Sequence, residues 1–398
     1  MNIDTLVPDS KGGLEWPAFP QDKRAVVAVG NFDGVHLGHA AVLKRTVELA
    51  AKHDALAVAI LFDPRPEVVQ RYAKEHDGAQ LPQGEHYADE EALTDVRQRL
   101  AIIESFGIER ALVIRYTMEF GHRTYLDFIG QLVGKIGMRT LVLGTDARMG
   151  RDRAGDVKSI SNLAAATGVF ELEVVDDRGP GEARVPLNNT PQAAEAIEKV
   201  NDPNLKLSRA ERRSLSKKTP NRLVRVWSSS YVRFLLSRGH VEQAAQILGR
   251  PHSVEGMVVP GKQRGRTLGF PTANVAQDLQ GYMPADAVYA GWLIDTDANS
   301  GEERRYPSAI SIGTKQTFGE PEERVLEAFA LIDGQDGVEF TAMTPDSKGW
   351  VDLYGHHVRV EFLAYLRPQV HFDSAQTLVD ELRCNVEQTR RICAETKA

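Results

Sequence analysis

Cysteine is nearly missing from this chain: Cys384 and Cys393 are the two it has in 398 residues. They lie nine positions apart in a stretch with helical spacing, and at ~100° per residue they fall on nearly opposite helix faces, where they cannot easily bridge. That excludes a disulfide framework and makes a reduced, cytoplasmic setting the simplest expectation. Long apolar runs are missing too, none approaching the ~18 residues that span a bilayer. The first 24 residues have no basic start followed by an apolar core, because Asp4, Asp9 and Glu15 interrupt them, so the sequence predicts neither export nor a membrane span. Positive charge is not in excess. Lys and Arg number 48 against 55 Asp and Glu, a net charge of −7, which argues against a general nucleic-acid coat and confines any anion site to a local patch. With 42% hydrophobic and 26% charged residues the usage is that of globular proteins, which excludes wholesale disorder. At roughly 150 residues per domain, the length implies two to three domains.

Short apolar runs closed by turns occur at Ala25–Gly30, Ala55–Phe62, Ala111–Tyr116, Thr140–Gly144 and Val169–Val175. They read as strands, and between them lie segments with helical spacing, such as Val42, Thr46, Leu49 and Ala50, or Phe128, Leu132 and Ile136. Strand alternating with helix predicts a parallel sheet covered on both faces, with ligands beyond the carboxyl ends of the strands. From about Asp176 to Pro220 the pattern breaks into an insertion or linker. The run from Lys206 to Arg225 carries eight basic residues against the single acid Glu211, which is either a solvated helix face or a phosphate patch. From Gly256 onward, strand-like runs separated by Gly and Pro turns predict an antiparallel barrel or sandwich. A closing helix, capped by Asp373 or Ser374, sets Leu378, Leu382, Val386 and Cys393 on one stripe for packing on it.

The segment GNFDGVHLGHAAVL, Gly30 to Leu43, ends a strand in a glycine-punctuated turn and opens a helix near Gly38 and His39. A helix amino terminus offers unpaired N–H groups and partial positive charge, so with His36 and His39 it suits a nucleoside triphosphate and nucleotidyl transfer, with imidazolium holding the phosphate charge. Two histidines three apart also fit a metal half-site or a pair of capped surface residues. In the second half, GMVVPGKQ (Gly256 to Gln263) nearly fits a phosphate loop, but Gln263 stands where the hydroxyl belongs and no βαβ context follows. GKQRGRTLGFPTANV (Gly261 to Val275) parses better: Gly261, Gly265 and Gly269 permit tight turns, and Lys262, Arg264 and Arg266 supply positive charge. Thr272 and Asn274 add hard oxygen ligands of the kind magnesium accepts.

GNFDGVHLGHAAVL resembles the HxGH signature of the nucleotidyltransferase superfamily, and in its longer form the adenylyltransferase half of the bacterial bifunctional riboflavin kinase/FMN adenylyltransferases. LFDPRP (Leu61 to Pro66), Leu93–Thr94, LGTDARMG (Leu143 to Gly150) with Gly155 and Asp156, and WSSSYVR (Trp227 to Arg233) follow in that family's order. GKQRGRTLGFPTANV resembles the riboflavin kinase signature, shortly after LGRP (Leu248 to Pro251). MPADAVYAG, SIGTKQTFGE, VDLYG and VEFLAYLRP are similar to later segments of that family. The resemblance implies that His36 and His39 bind and polarise the ATP phosphates, with Asn31, Phe32, Asp33 and Gly34 shaping the pocket. It adds Asp146, Arg148, Ser228, Ser229, Ser230 and Arg233 as further ATP contacts, although a run of three serines also reads as a helix cap. For the kinase half it implies Gly261, Lys262, Gly265, Arg266, Gly269 and Pro271 around ATP and flavin, and Thr272 and Asn274 as ATP and magnesium contacts. Glu327 would be the base that takes the proton from the ribityl hydroxyl, the alternative being a strand glutamate facing solvent. The chain departs from the family pattern at Ala147 and Met149, where aromatic rings are usual, and at Lys315 and Gln316.

The expectation is thus an α/β Rossmann-like nucleotidyltransferase domain over residues 1–248, with an insertion at about 176–220, followed by a six-stranded antiparallel β-barrel kinase domain with a C-terminal helix over 249–398. The implied activity is ATP-dependent phosphorylation of riboflavin to FMN, then adenylylation of FMN to FAD with release of pyrophosphate and Mg2+ as cofactor. Small molecules are the expected partners, without membrane or nucleic acid, and homo-oligomer formation stays open. The alternatives are a chain with one active module, riboflavin kinase alone, and a flavin or nucleotide sensor without turnover.

Overall fold

The computed structural model describes residues 1–396 apart from 21, 83–88, 188–189, 203–204, 206–207, 209, 212–213, 215–216, 218, 262–271, 298–302, 316–322 and 332–351. Of Pro191, Lys315 and Ala375 it describes the backbone alone. The chain divides into two compact units. One comprises Met1–Asp89, Asp95–Ala183 and Arg225–Ser229; the other comprises Glu90–Thr94, Arg184–Val224 and Ser230–Ala398.

In the first unit the elements run β1 (Asn2–Leu6), β2 (Ala25–Val29), α1 (Leu37–Lys52), β3 (Leu56–Phe62), α2 (Pro66–Glu75), α3 (Val96–Ser105), β4 (Arg110–Ile114), α4 (Met118–Gly121), α5 (Tyr125–Lys135), β5 (Met138–Gly144), β6 (Arg148–Met149), β7 (Gly155–Asp156), α6 (Val157–Thr167) and β8 (Glu171–Val175). Six of the strands form one sheet in the order β1-β4-β3-β2-β5-β8, and every pair in it is parallel. Successive side chains of a strand point to opposite faces, so covering both faces requires continuous apolar runs. Accordingly Val26, Ala28, Ala57, Ala59 and Leu61 pack on Val42, Leu43 and Leu49 of α1. On the other face Ala25, Val27, Val58, Ile60 and Leu141 meet Phe128, Ile129 and Leu132 of α5 and Ile160 of α6. The chain runs from β2 outward through β3 and β4, then returns to lay β5 and β8 on the other side of β2. The strand order therefore reverses between β2 and β5, and beyond their carboxyl ends lies the crevice where such sheets bind ligands.

The remaining elements are β9 (Glu182–Pro186), α7 (Pro191–Asn201), β10 (Asn221–Arg225), α8 (Ser229–Ser237), α9 (Val241–Leu248), β11 (His252–Val259), β12 (Ala273–Val275), β13 (Ala287–Asp295), β14 (Arg304–Lys315), β15 (Glu323–Ala330), β16 (His357–Pro368) and α10 (Ala375–Thr396). β11-β12-β15-β14-β13-β16 is a closed barrel of antiparallel pairs. Inside it lie Val254, Val258, Leu293, Val358, Val360 and Phe362, all buried. α10 covers part of the outside: Leu382 and Val386, with Val379, pack on Phe329 and Leu331, and Cys393 on Trp292 and Ile294. Both cysteines are free, Cys384 exposed and Cys393 buried.

The expected fold class is thus the observed one. Six strands are not read from the sequence: β1, β12 and the short β6, β7, β9 and β10. The segment 176–220, expected as an insertion or linker, contains β9 and α7, and its Val185, Ala194 and Ile197 form a small core with Phe234 of α8. Of its basic run, the described Lys217 is exposed. The compact units do not break the chain at 248, because residues 184–224 and 230–248 belong with the second one.

Candidate functional site

Beyond β2 the backbone turns sharply. Phe32, Gly34 and Val35 have φ of 49°, 75° and 38°, a region that a bulky or β-branched residue enters only when its surroundings force it. Phe32 and Val35 are buried, and Val35 N donates to Phe32 O at 3.0 Å. The turn delivers His36 as N-cap of α1, where its Nδ1 accepts from His39 N at 3.4 Å. Accepting at Nδ1 leaves Nε2 as the donor of the neutral ring. The rings of His36 and His39 stack at 3.8 Å and 20°, with Phe32 edge-on to His39 at 5.3 Å. His39 Nδ1 is shut away from solvent with no hydrogen-bond partner. Burial pushes the imidazole down to about 4, against the opposing pull of Asp33 and Asp177. Near pH 7 without nucleotide this ring is therefore neutral.

Buried arginines hold the turn. Arg65 reaches Asp33 Oδ2 at 3.2 Å and forks onto Asp89 at 2.5 and 2.7 Å. Arg99 donates to the carbonyls of Asn31 and Phe62, both at 3.0 Å, and to Asp63 Oδ1 at 2.7 Å. Asn31 Nδ2 lies 3.3 Å from both oxygens of Glu67, and Ser229 Oγ donates to Asp33 O at 2.8 Å. The structure thus gathers Asn31, Phe32, Asp33, Gly34, His36, His39 and Ser229 in one place, with the Asp33 carboxylate turned to Arg65. Asp146 pairs with Arg225 at 3.0 Å, Arg148 lies opposite Asp156 in the β6–β7 register, and Ser228 Oγ donates to Arg225 O. In the second unit Ser230 Oγ accepts from Arg222 at 2.9 Å, and Arg233 Nε donates to Glu91 O at 2.5 Å. Arg65, Arg99, Thr145, Asp177 and Arg225 were not singled out from the sequence; Arg65 stands within LFDPRP.

Ala147 and Met149 pack, half-buried, on the core that also takes Phe62, Tyr116, Tyr125, Phe120 and Phe128. Near the ends of β3 and β4 the rings of Phe62, Tyr116 and Phe120 lie about 6 Å apart, tilted or edge-on. Aromatic surface is therefore present beside the crevice although positions 147 and 149 no longer add to it.

On the barrel, Asn274 of β12 is the register partner of Glu327 of β15, which in turn faces Ser311 of β14. Leu326 and Ala328 point into the barrel, so the half-buried Glu327 lies on its outer face. Thr272 Oγ1 donates to Glu327 Oε2 at 3.5 Å, and Asn274 Nδ2 to Thr272 O at 3.3 Å. A Cβ on Gly261 would come within 2.4 Å of the Asn274 carboxamide, so only glycine allows the chain that close. Spending Nδ2 on Thr272 leaves Asn274 Oδ1 free to face a cation, and hydroxyl, amide and carboxylate oxygens are the hard donors that Mg2+ takes. Two or three protein oxygens with phosphate and water completing the shell fit that ion. Among the described residues no cluster of three or more His, Cys, Asp or Glu could hold a metal without such help. Lys262, Gly265, Arg266, Gly269, Pro271 and Gln316 lie outside the described residues; the Lys315 backbone pairs with Glu323.

A parallel-sheet unit with a histidine turn at its switch point and a barrel with an oxygen-rich outer face mark a chain of two modules. Residues 18–188 match the family model for FAD synthetase, and residues 248–393 the model for riboflavin kinase. The chain belongs to the bifunctional riboflavin kinase/FMN adenylyltransferase family. It is 24% identical over 375 residues to the bifunctional riboflavin kinase/FMN adenylyltransferase of Listeria monocytogenes, covering 94% of each chain. With that of Escherichia coli strain K12 it shares 27% over 362 residues, 91% of this chain and 89% of the relative. A Streptococcus pneumoniae crystal structure titled as a macrolide-efflux protein superposes with a TM-score of 0.66 at 23% identity, covering 97% and 98% of the two chains, a likeness of fold. Among the described residues no helix is long and apolar enough to cross a membrane.

Proposed function

We propose that this chain makes FAD from riboflavin in two ATP-dependent steps, residues 249–398 carrying the first and residues 1–248 the second. The observation that carries this reading is that both polar constellations, His36 with His39 and Thr272 with Asn274 and Glu327, fall inside the two matched stretches of one chain. In the first step Glu327 takes the proton of the ribityl 5′-hydroxyl as that oxygen bonds to the γ-phosphorus of ATP. The bond from that phosphorus to the β,γ-bridging oxygen breaks, and ADP leaves. Thr272 holds the carboxylate in place. Thr272 and Asn274 would also hold Mg2+, which when bound neutralises charge on the reacting phosphates.

In the second step a phosphate oxygen of FMN attacks the α-phosphorus of ATP, and pyrophosphate leaves. His36, His39 and the first N–H groups of α1 donate to the phosphates, and the charge that arrives with ATP draws a proton onto His39, which is neutral before it. Phe62 and Tyr116 offer the flavin ring an aromatic wall that positions 147 and 149 lack. Ser228, Ser229, Ser230 and Arg233 keep their place in this reading as triphosphate contacts, and the working location is cytoplasmic.

Purified protein is incubated with riboflavin, ATP and magnesium, in parallel with a tube starting from FMN, and the flavins are separated by chromatography. FAD in both tubes is the expected result. FMN accumulating without FAD would leave a kinase alone, and binding without turnover would make the chain a sensor. Chelation by EDTA is expected to stop both steps.

A further inference from the structure

Asp177 stands two residues beyond β8, beside the switch point of the sheet. Its Oδ1 accepts from Thr145 N at 2.9 Å, Thr145 Oγ1 at 2.8 Å and Arg225 Nη1 at 2.9 Å, and 14% of the side chain is exposed. Arg225 also reaches Asp146 at 3.0 Å and donates to Thr145 Oγ1 at 2.9 Å. Two glycines show how close the fit is. A Cβ on Gly144 would lie 2.1 Å from Asp177 Oδ2, and one on Gly38 would lie 2.7 Å from the Asp177 carbonyl oxygen. One residue thus seats the end of β5 through its carboxylate and the first turn of α1 through its backbone.

We infer that Asp177 is a positioning residue for His39 in adenylyl transfer, fixing the start of α1 against the end of β5 and holding negative charge beside the imidazole. The inference rests on the proposed role of His39. Around that ring stand Asp33, paired with Arg65, and Asp177, paired with Arg225, while His36 stacks on it. Both carboxylates favour the protonated ring, and burial opposes it. With each carboxylate matched by an arginine, the ring is neutral until ATP adds charge. Without Asp177, protonating His39 becomes harder even with ATP present.

Asp177→Asn keeps the size and an oxygen for Thr145 while removing the charge. In this variant kcat for FAD formation from FMN is expected to fall on the order of tenfold, with KM for ATP changed less than about threefold. The alkaline limb of the kcat profile, where His39 must keep its proton, should move to lower pH, and FMN formation from riboflavin by the same preparation should stay at the wild-type rate. An unchanged kcat, an unmoved pH profile, or an equal fall in both activities would overturn the inference. A readout that needs no turnover is the proton NMR titration of His39, assigned with His39→Gln. The wild-type midpoint near 4 should move lower in Asp177→Asn; an unmoved midpoint overturns the inference even if wild-type protein makes no FAD, a result that by itself defeats the functional reading instead.

Discussion

His39 keeps an imidazole in a place that refuses its charged form, and this ties stability to pH. The folded ring holds a proton only below about 4, whereas the ordinary value is 6.5. Between those values the unfolded chain binds a proton that the folded chain does not. Stability is therefore fully present above 6.5 and lost as pH falls toward 4, by on the order of 2 kcal/mol for a ring partly open to solvent. Urea unfolding of the wild type at pH 7 and pH 5 should show this loss, and His39→Gln should shrink it; an equal pH dependence in the variant would remove His39 as its source. Gly38 makes a second case. Gly38→Ala drives a Cβ to 2.7 Å from a backbone oxygen that cannot swing away, so α1 must shift at its start. The expected cost is about 1–3 kcal/mol together with loss of adenylylation, read by unfolding and by FAD yield from FMN. The sequence made His36, His39 and Gly38 legible because they are neighbours in one segment. It did not reveal Arg65, Arg99, Asp177 or Arg225 as their supports, since those contacts join residues far apart in the chain and follow from the strand order.

At the scale of elements, the buried strands of the parallel sheet were readable because both of their faces are apolar. β1 was not, because NIDTL sits at the sheet edge, pairs with β4 alone and buries only Leu6 fully. β12 is three residues long, too short for any period to register. The segment after β8 read as a linker because its Gly, Pro and charged residues outweigh a few apolar ones. Yet Ile197 of α7 is fully buried against Val185, Ala194 and Phe234 of α8. Ile197→Ala should cost about 2–4 kcal/mol of stability, measured by urea unfolding. An unfolding midpoint equal to that of the wild type would take Ile197 out of the core it shares with Val185 and Phe234. α10 gives an independent check: the exposed Cys384 should react with a thiol reagent in the native protein, and the buried Cys393 only after unfolding.

At the scale of the whole molecule, the question is whether the product of one module must be handed over within a single chain. The two constellations share no residue: the histidine turn is built from β2, α1 and their arginine supports, and the Glu327 group from β12 and β15. Their chemistry is also separable, since one transfers a phosphoryl group to an alcohol and the other an adenylyl group to the phosphate so formed. His39→Ala is therefore expected to leave a chain that makes FMN and stops there, and Glu327→Gln one that makes FAD from FMN but leaves riboflavin untouched. Mixed in one tube with riboflavin, ATP and magnesium, the two variants should produce FAD after a lag. The lag should shorten as protein concentration rises, because FMN must leave one chain before another can take it up. If FMN accumulates in the mixture and no FAD forms, while the Glu327→Gln variant still converts FMN added at the same concentration, the first variant is retaining its product. Transfer inside one chain would then be the normal route, and the joining of the two modules would serve the reaction itself.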